Sequence, residues 1–272
     1  MSAITLRLKQ APGFRVDASQ LLPAKLAPLP VAEIARIVLP AGNESCLTGE
    51  LFEISRADGE TVALAIDGDV RWLDRLGAHL GEGSLTVHGS CGDYAGFRMA
   101  GGELRVEGDA GAFSGCGMSG GRLTITGNSG DFAAGALPGD MEGMTGGTLT
   151  IHGNAGARLG DRMRRGLVLV GGDAGECAAS RLVAGTLGIA GRLGAHYGYG
   201  MRRGTLLLTQ APDRLPPTFT EGGHGFDVFW SLLVRSLANE IAPFSTLRAT
   251  SLPRRYAGDL AVDGRGELLI VR

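Results

Sequence analysis

Lysine is almost missing from this chain: Lys9 and Lys25 are the only two in 272 residues, so nearly every cation is an arginine. Positive charge is not in excess either, with 26 Lys and Arg against 28 Asp and Glu and a net charge of −2. That balance argues against a nucleic-acid partner, and any basic patch must be local. Long apolar runs are absent, and stretches such as "FWSLLV" are too short to cross a bilayer. The N-terminal "MSAITLRLKQ" carries charge where a secretory signal has an apolar run. A cytoplasmic protein with no membrane partner is expected. Cysteine is sparse: Cys46, Cys91, Cys116 and Cys177 form no C-x-x-C pair, so they read as buried free thiols and no metal site is assigned. The five histidines, His79, His88, His152, His196 and His224, show no H-x-H or H-E-x-x-H spacing. No serine elbow or aspartate cluster appears, so no catalytic residue is assigned.

What the chain does have is glycine, 46 of them, within a composition whose 44% apolar share suits a buried core. The glycines are periodic. Units start at Gly89, Gly108, Gly127, Gly153, Gly172 and Gly191, a period of 19 residues broken once by seven extra residues placed at Pro138 to Met144. A second glycine column runs Gly92, Gly111, Gly130, Gly156, Gly175, Gly194, and a third runs Gly102, Gly121, Gly147, Gly166, Gly185, Gly204. After each third glycine come two apolar residues two apart: Leu104/Val106, Leu123/Ile125, Leu149/Ile151, Val168/Val170, Leu187/Ile189 and Leu206/Leu208, with Leu85/Val87 before them. Period-2 alternation marks short strands, and strands this short must stack on the next unit to be stable. The expected fold is all-β, a right-handed parallel β-helix (solenoid) of about 19-residue coils. An N-terminal cap and lead-in is expected over 1–67, the glycine-patterned coils over 68–210, and a C-terminal extension over 211–272 whose helix packs back on the coils.

Other columns follow the same register. Met99, Met118, Met144, Met163, Leu182 and Met201 read as a core ladder, and Tyr94, Phe113 and Phe132 as an aromatic stack. Ser90, Asp109, Asn128, Asn154, Asp173 and Arg192 read as turn formers that bond their own backbone, with the repeated glycines supplying positive φ at the corners. Two features read as functional. Arg98, Arg162 and Arg181 share one column, and Arg164 and Arg165 share columns with Arg202 and Arg203, making an arginine edge suited to anions or to an interface, with Asp161 and Glu176 as alternative internal partners. Strand positions that are polar in early units become Leu169 and Leu207 later, an apolar strip that a C-terminal helix or another subunit must cover.

The 19-residue glycine units, the lead-in "VAEIARIVLPAGNESCLTGELFEI" and the tail "PPTFTEGG…YAGDLAVDGRGELLIV" together resemble the family of C subunits of formylmethanofuran dehydrogenase and of the bacterial formyltransferase/hydrolase complex. The repeat alone is also similar to the C-terminal domain of the glutamate synthase large subunit. The resemblance implies a non-catalytic scaffold subunit of a complex that converts formyl-tetrahydromethanopterin to formate through a formylated methanofuran-type carrier. It also implies hydrolase and formyltransferase subunits as partners, no cofactor bound by this chain, and a carrier with a polyglutamate tail that the arginine edge suits. A stand-alone β-helix enzyme acting on a carbohydrate is the alternative from another class.

Overall fold

A computed structural model of the chain describes residues 2–58, 61–223 and 225–271, so His224 lies outside the described residues. Among the described residues, thirteen strands join in one sheet. In chain order they are β1 (Ser2–Leu8), β2 (Phe52–Asp58), β3 (Ala63–Asp67), β4 (Ser84–His88), β5 (Glu103–Val106), β6 (Arg122–Ile125) and β7 (Thr148–Ile151). They continue as β8 (Leu167–Val170), β9 (Thr186–Ile189), β10 (Thr205–Leu208), β11 (Thr220–Glu221), β12 (Arg254–Gly258) and β13 (Gly266–Ile270). Across the sheet the order is β11-β12-β13-β10-β9-β8-β7-β6-β5-β4-β3-β1-β2.

From β4 to β10 the pairing is parallel and in register with the glycine repeat: Leu85 faces Leu104, which faces Leu123, then Leu149, Val168, Leu187 and Leu206. These residues, and the apolar partners two positions on, are fully buried, as is the whole Met99 to Met201 column. Pairing is not confined to the strands. A second ladder links Ala110, Ser129, Ala155, Ala174 and Leu193, and on a further side Tyr94 N–H donates to Ala112 O and Phe113 N–H to Asp131 O, each at 2.8 Å. Each unit thus hydrogen-bonds the next on several sides, which satisfies backbone groups that such short strands leave open.

The glycine columns do different work. The third column has φ from 69° at Gly102 to 104° at Gly166, the left-handed corner expected of it. The second column corrects the expectation: Gly92, Gly111, Gly130, Gly156, Gly175 and Gly194 have no positive φ. They are glycine for lack of room. A Cβ at Gly130 or Gly175 would lie 2.7 Å from the backbone nitrogen of Ala112 or Ala157 in the preceding unit. Left-handed backbone also falls on side chains, at Arg75, Tyr94, Phe113, Phe132, Arg158, Cys177 and His196 in one column.

The short polar column is corrected as well. Its side chains bond the next unit rather than their own backbone: Asp109 Oδ1 accepts from Asn128 N–H, Asn128 Oδ1 from Asn154 N–H, Asn154 Oδ1 from Asp173 N–H and Asp173 Oδ1 from Arg192 N–H, at 2.7 to 2.8 Å. The Asn128 amide N–H, with Arg71 beside it, holds the Asp109 carboxyl below the usual carboxylate range. A carboxyl with a lowered folded pKa contributes stability above its unfolded value, and that stability is lost as pH falls through the unfolded value toward the folded one. Asp109→Asn keeps the acceptor and removes the titration. Its melting temperature is expected to fall less than the wild type's between about pH 5 and about pH 3. Equal falls would remove Asp109 as an acid-sensitive rung contact.

Both ends of the parallel stack are closed by strands that the sequence did not reveal. At one end β1 runs parallel to β3 and antiparallel to β2, so the N-terminal segment joins the sheet. At the other, β13 adds a parallel neighbour to β10, and β12 and β11 turn back antiparallel. Such antiparallel ends shield edges that are otherwise prone to pair with other chains.

The C-terminal helix α1 (Asp227–Leu237) lies over the later strands. Trp230, Leu233 and Leu237 cluster with Leu169, Leu207, Leu269 and Phe244. Between the two leucines the column holds Gly188, and a Cβ there would stand 2.9 Å from the Phe244 ring, so the glycine makes the space Phe244 fills. Leu169 and Leu207 are therefore fully buried inside the chain. This corrects their reading as an interface for another subunit. Of the cysteines, Cys91 and Cys116 are buried and their thiols are pushed up to about 12 by burial, whereas Cys46 and Cys177 are only half-buried.

Candidate functional site

The seven extra residues, expected at Pro138 to Met144, lie one position earlier: the loop leaves the stack after Ala136 and rejoins it at Met144, which is fully buried in the methionine column. Gly143 N–H donates to Arg162 O at 2.9 Å and Met144 N–H to Ala134 O at 2.9 Å. The loop stands over the arginine edge. Opposite it, the short helical turn Leu260–Val262 rises from the C-terminal segment. Between them lies a cleft of 740 Å³ lined by Arg162, Arg164, Arg181 and Arg202 together with Met141, Tyr199 and Val262. Met141 is 78% and Tyr199 69% exposed, unusual for side chains of this kind. A smaller depression of 360 Å³ adjoins it, framed by Arg164, Arg165, Arg202 and Arg203.

The structure divides the seven arginines in two. Arg98, Arg162 and Arg181 sit in left-handed backbone, with φ of 50°, 56° and 53°, in a column where other units carry Gly117 and Gly200. A side chain there costs about 1 kcal/mol or more that glycine avoids. Each is spent on an internal contact. Arg181 grips Asp161 through two bonds, Nε to Oδ1 at 3.0 Å and Nη2 to Oδ2 at 2.6 Å, and the Asp161 side chain is only 4% exposed. Arg162 Nη1 donates to the Asp140 carbonyl at 2.6 Å, and Arg98 Nη2 lies 3.6 Å from Asp140 Oδ2. This column is not an open anion site, because it holds the loop and a buried aspartate. Asp161 is the internal partner expected from sequence; no ion pair to Glu176 forms among the described residues.

The other two columns are more open. Arg164 Nη1 meets Glu142 Oε1 at 2.5 Å. Among the described residues, Arg165, Arg202 and Arg203 have no carboxylate within 4.0 Å. All four are exposed and lie on alternate units, with Val183 and Ala184 of the unit between them in the same columns. Three unpaired guanidinium groups beside one paired one can take several carboxylates or phosphates in two-point contacts. Sequence reasoning missed the loop acids Asp140 and Glu142 and the cleft residues Met141, Tyr199 and Val262. The break in the period locates the loop, but no periodic signal says what its acids meet or which apolar side chain is left in solvent.

Elsewhere, Tyr94, Phe113 and Phe132 stack with ring centroids 5.1 and 4.9 Å apart. Arg75 covers the Tyr94 end and Arg158 the Phe132 end, at 5.6 and 5.7 Å. These half-buried rings pack against one another. His88 Nδ1 lies 2.8 Å from Glu107 Oε2. Among the described residues, no three His, Cys, Asp or Glu side chains gather as a metal-ligand set, and no helix is long and apolar enough to cross a membrane.

Among known proteins, the GXGXG motif family matches residues 33–220. The C subunit of the formyltransferase/hydrolase complex Fhc from Methylorubrum extorquens is 45% identical over 88 residues, which cover 32% of each chain. The C subunit of the tungsten-containing formylmethanofuran dehydrogenase 2 from Methanothermobacter wolfeii is 35% identical over 99 residues, 35% of this chain and 37% of that one. These alignments span about a third of the curated relatives' lengths. A chain in the crystal structure of the formyltransferase/hydrolase complex (FhcABCD) from Methylorubrum extorquens, solved with methylofuran, superposes with a TM-score of 0.91 and 43% identity, covering 98% of this chain and 99% of that one. A family match that covers residues 33–220 and a backbone shared end to end with that structure lead to one assignment: the chain belongs to the GXGXG motif family and is a homologue of the C subunit of the formyltransferase/hydrolase complex.

Proposed function

We propose that this chain is the scaffold subunit of a formyltransferase/hydrolase complex that converts formyl-tetrahydromethanopterin to formate through a formylated methanofuran-type carrier in the cytoplasm. The observation that carries the reading is the end-to-end superposition on a chain of that complex at 43% identity. The higher identity to the bacterial protein, 45% against 35%, favours it over a formylmethanofuran dehydrogenase. In this reading residues 1–67 cap the stack, 68–210 form a right-handed parallel β-helix, and 211–272 cover its later face. The hand is supported by the parallel crossovers linking successive strands of one sheet, which are right-handed in about 98% of known cases.

The chemistry belongs to neighbouring hydrolase and formyltransferase subunits, and this chain holds them in place. The open arginines Arg165, Arg202 and Arg203, with Arg164, take the carboxylates of an anionic chain such as the carrier's polyglutamate tail. Affinity purification of the tagged chain from its own cells is expected to bring down the other subunits together with formyl transfer and formate release, while the purified chain alone releases no formate. Formate release by the isolated chain, or purification without partners, would overturn the scaffold reading.

A further inference from the structure

The arginine row already holds a short acidic peptide, supplied by the chain itself. In the loop, Asp140, Met141 and Glu142 reach from the unit of Arg98 to that of Arg162 and Arg164: the Asp140 carboxylate faces Arg98, its carbonyl accepts from Arg162, and Glu142 accepts from Arg164. Met141 between the two acids lines the 740 Å³ cleft. The Arg164 and Glu142 side chains are 51% and 44% exposed, so their pairing is weak and exchanges readily with water or another anion. Immediately beyond, Arg165, Arg202 and Arg203 continue the same surface unpaired, around the 360 Å³ depression that Arg164 also lines.

We infer that Glu142 is an internal competitor for the ligand of this row, and that the row selects chains of repeated carboxylates by making them displace it from Arg164. The inference rests on reading the row as a site for an anionic chain. Glu142 is tethered, so its effective concentration at Arg164 is on the order of millimolar. A free monocarboxylate at lower concentration loses that competition. A ligand already anchored on Arg165, Arg202 and Arg203 presents its next carboxylate to Arg164 at a comparable effective concentration and wins it. Glu142 therefore raises the threshold for small acids much more than for acidic chains.

The test is fluorescence anisotropy of a labelled hexaglutamate peptide with the full chain at low salt, where exposed charge pairs are least screened. Four proteins are compared: wild type, Glu142→Gln, the triple variant Arg165→Gln/Arg202→Gln/Arg203→Gln, and Asp263→Asn. Asp263 follows the turn that flanks the cleft and has no ion pair among the described residues. Its left-handed backbone, φ 51°, suits asparagine. Asp263→Asn therefore makes the same change in net charge without touching the row. The triple variant is expected to bind about tenfold or more weakly, and Glu142→Gln about threefold more tightly, with Asp263→Asn close to wild type. In the wild type, peptide binding is also expected to speed amide exchange in the loop around Glu142. If the triple variant binds as well as wild type, or nothing binds, the anionic-chain reading fails and the inference with it. If the triple variant loses binding while Glu142→Gln matches Asp263→Asn and the loop does not loosen, the row is a site and the competitor role of Glu142 is overturned.

Discussion

Gly121→Val is expected to prevent soluble expression, or to cost about 4 kcal/mol or more where the protein is recovered. Two independent penalties fall on one side chain. The backbone at Gly121 has φ +77°, where a β-branched residue is strongly disfavoured. Its Cβ would also stand 2.7 Å from the carbonyl group of Gly101 in the preceding unit and 2.7 Å from Met99 Cε in the core. Relief would require parting two units along a ladder that continues on both sides. The control is Gly13→Val, because Gly13 has no positive φ and nothing within 4 Å of its Cβ position. Gly139, although it sits in the inserted loop with nothing within 4 Å, is a poorer control because its φ is +93°. Thermal melts of the two variants check the expectation, and similar midpoints would contradict the role of the third glycine column.

Trp230→Ala is expected to cost about 3–5 kcal/mol, the usual loss for removing a fully buried aromatic side chain. Trp230 is 0% exposed, and its indole N–H donates to Arg248 O at 3.1 Å, so the substitution leaves a cavity and removes one of two hydrogen bonds to that carbonyl, which keeps the one from Ser251 N–H. The damage should be local in origin. In a stack of units each neighbour supports the next, so loosening α1 uncovers Leu169 and Leu207 without directly touching the early units. Hydrogen exchange should accelerate first in α1 and β8 to β10, and a dye that binds exposed apolar surface should bind the variant. Uniform acceleration from β4 onward would mean that the helix and the stack unfold as one unit.

The repeat made a large part of this architecture readable before any coordinates. A side chain repeated every 19 residues must meet its own copies if the units stack, so the pairing of Leu104 with Leu123 and the burial of the methionine column follow from spacing alone. The limits of the reading have equally physical causes. Gly92 and its column looked like corners, yet only the distance between adjacent backbones explains them. Asp109 and Asn128 have the composition of local turns, but the nearest free N–H belongs to the next unit. The N-terminal strand β1 has no glycine unit, and the C-terminal strand β13 repeats the strand pattern, Gly266 then Leu268 and Ile270, but stands outside the 19-residue spacing, so spacing alone pairs neither with its neighbour.

At the arginine edge, the sequence alone established which guanidinium groups share a side of the stack, since a fixed period places equal positions in one column. It did not say which of them were free. Arg181 and Arg203 look alike in the repeat, but Arg181 grips Asp161 from the preceding unit and Arg203 meets no carboxylate among the described residues. The seven extra residues break the register, and outside the register a side chain's partners depend on how the loop folds back in space. Only tertiary structure could therefore bring Glu142 onto Arg164, lay α1 over Leu169 and Leu207, and leave a cleft between the loop and the C-terminal turn. Periodicity determines contacts between equivalent positions, whereas contacts between segments that share no period are decided by packing.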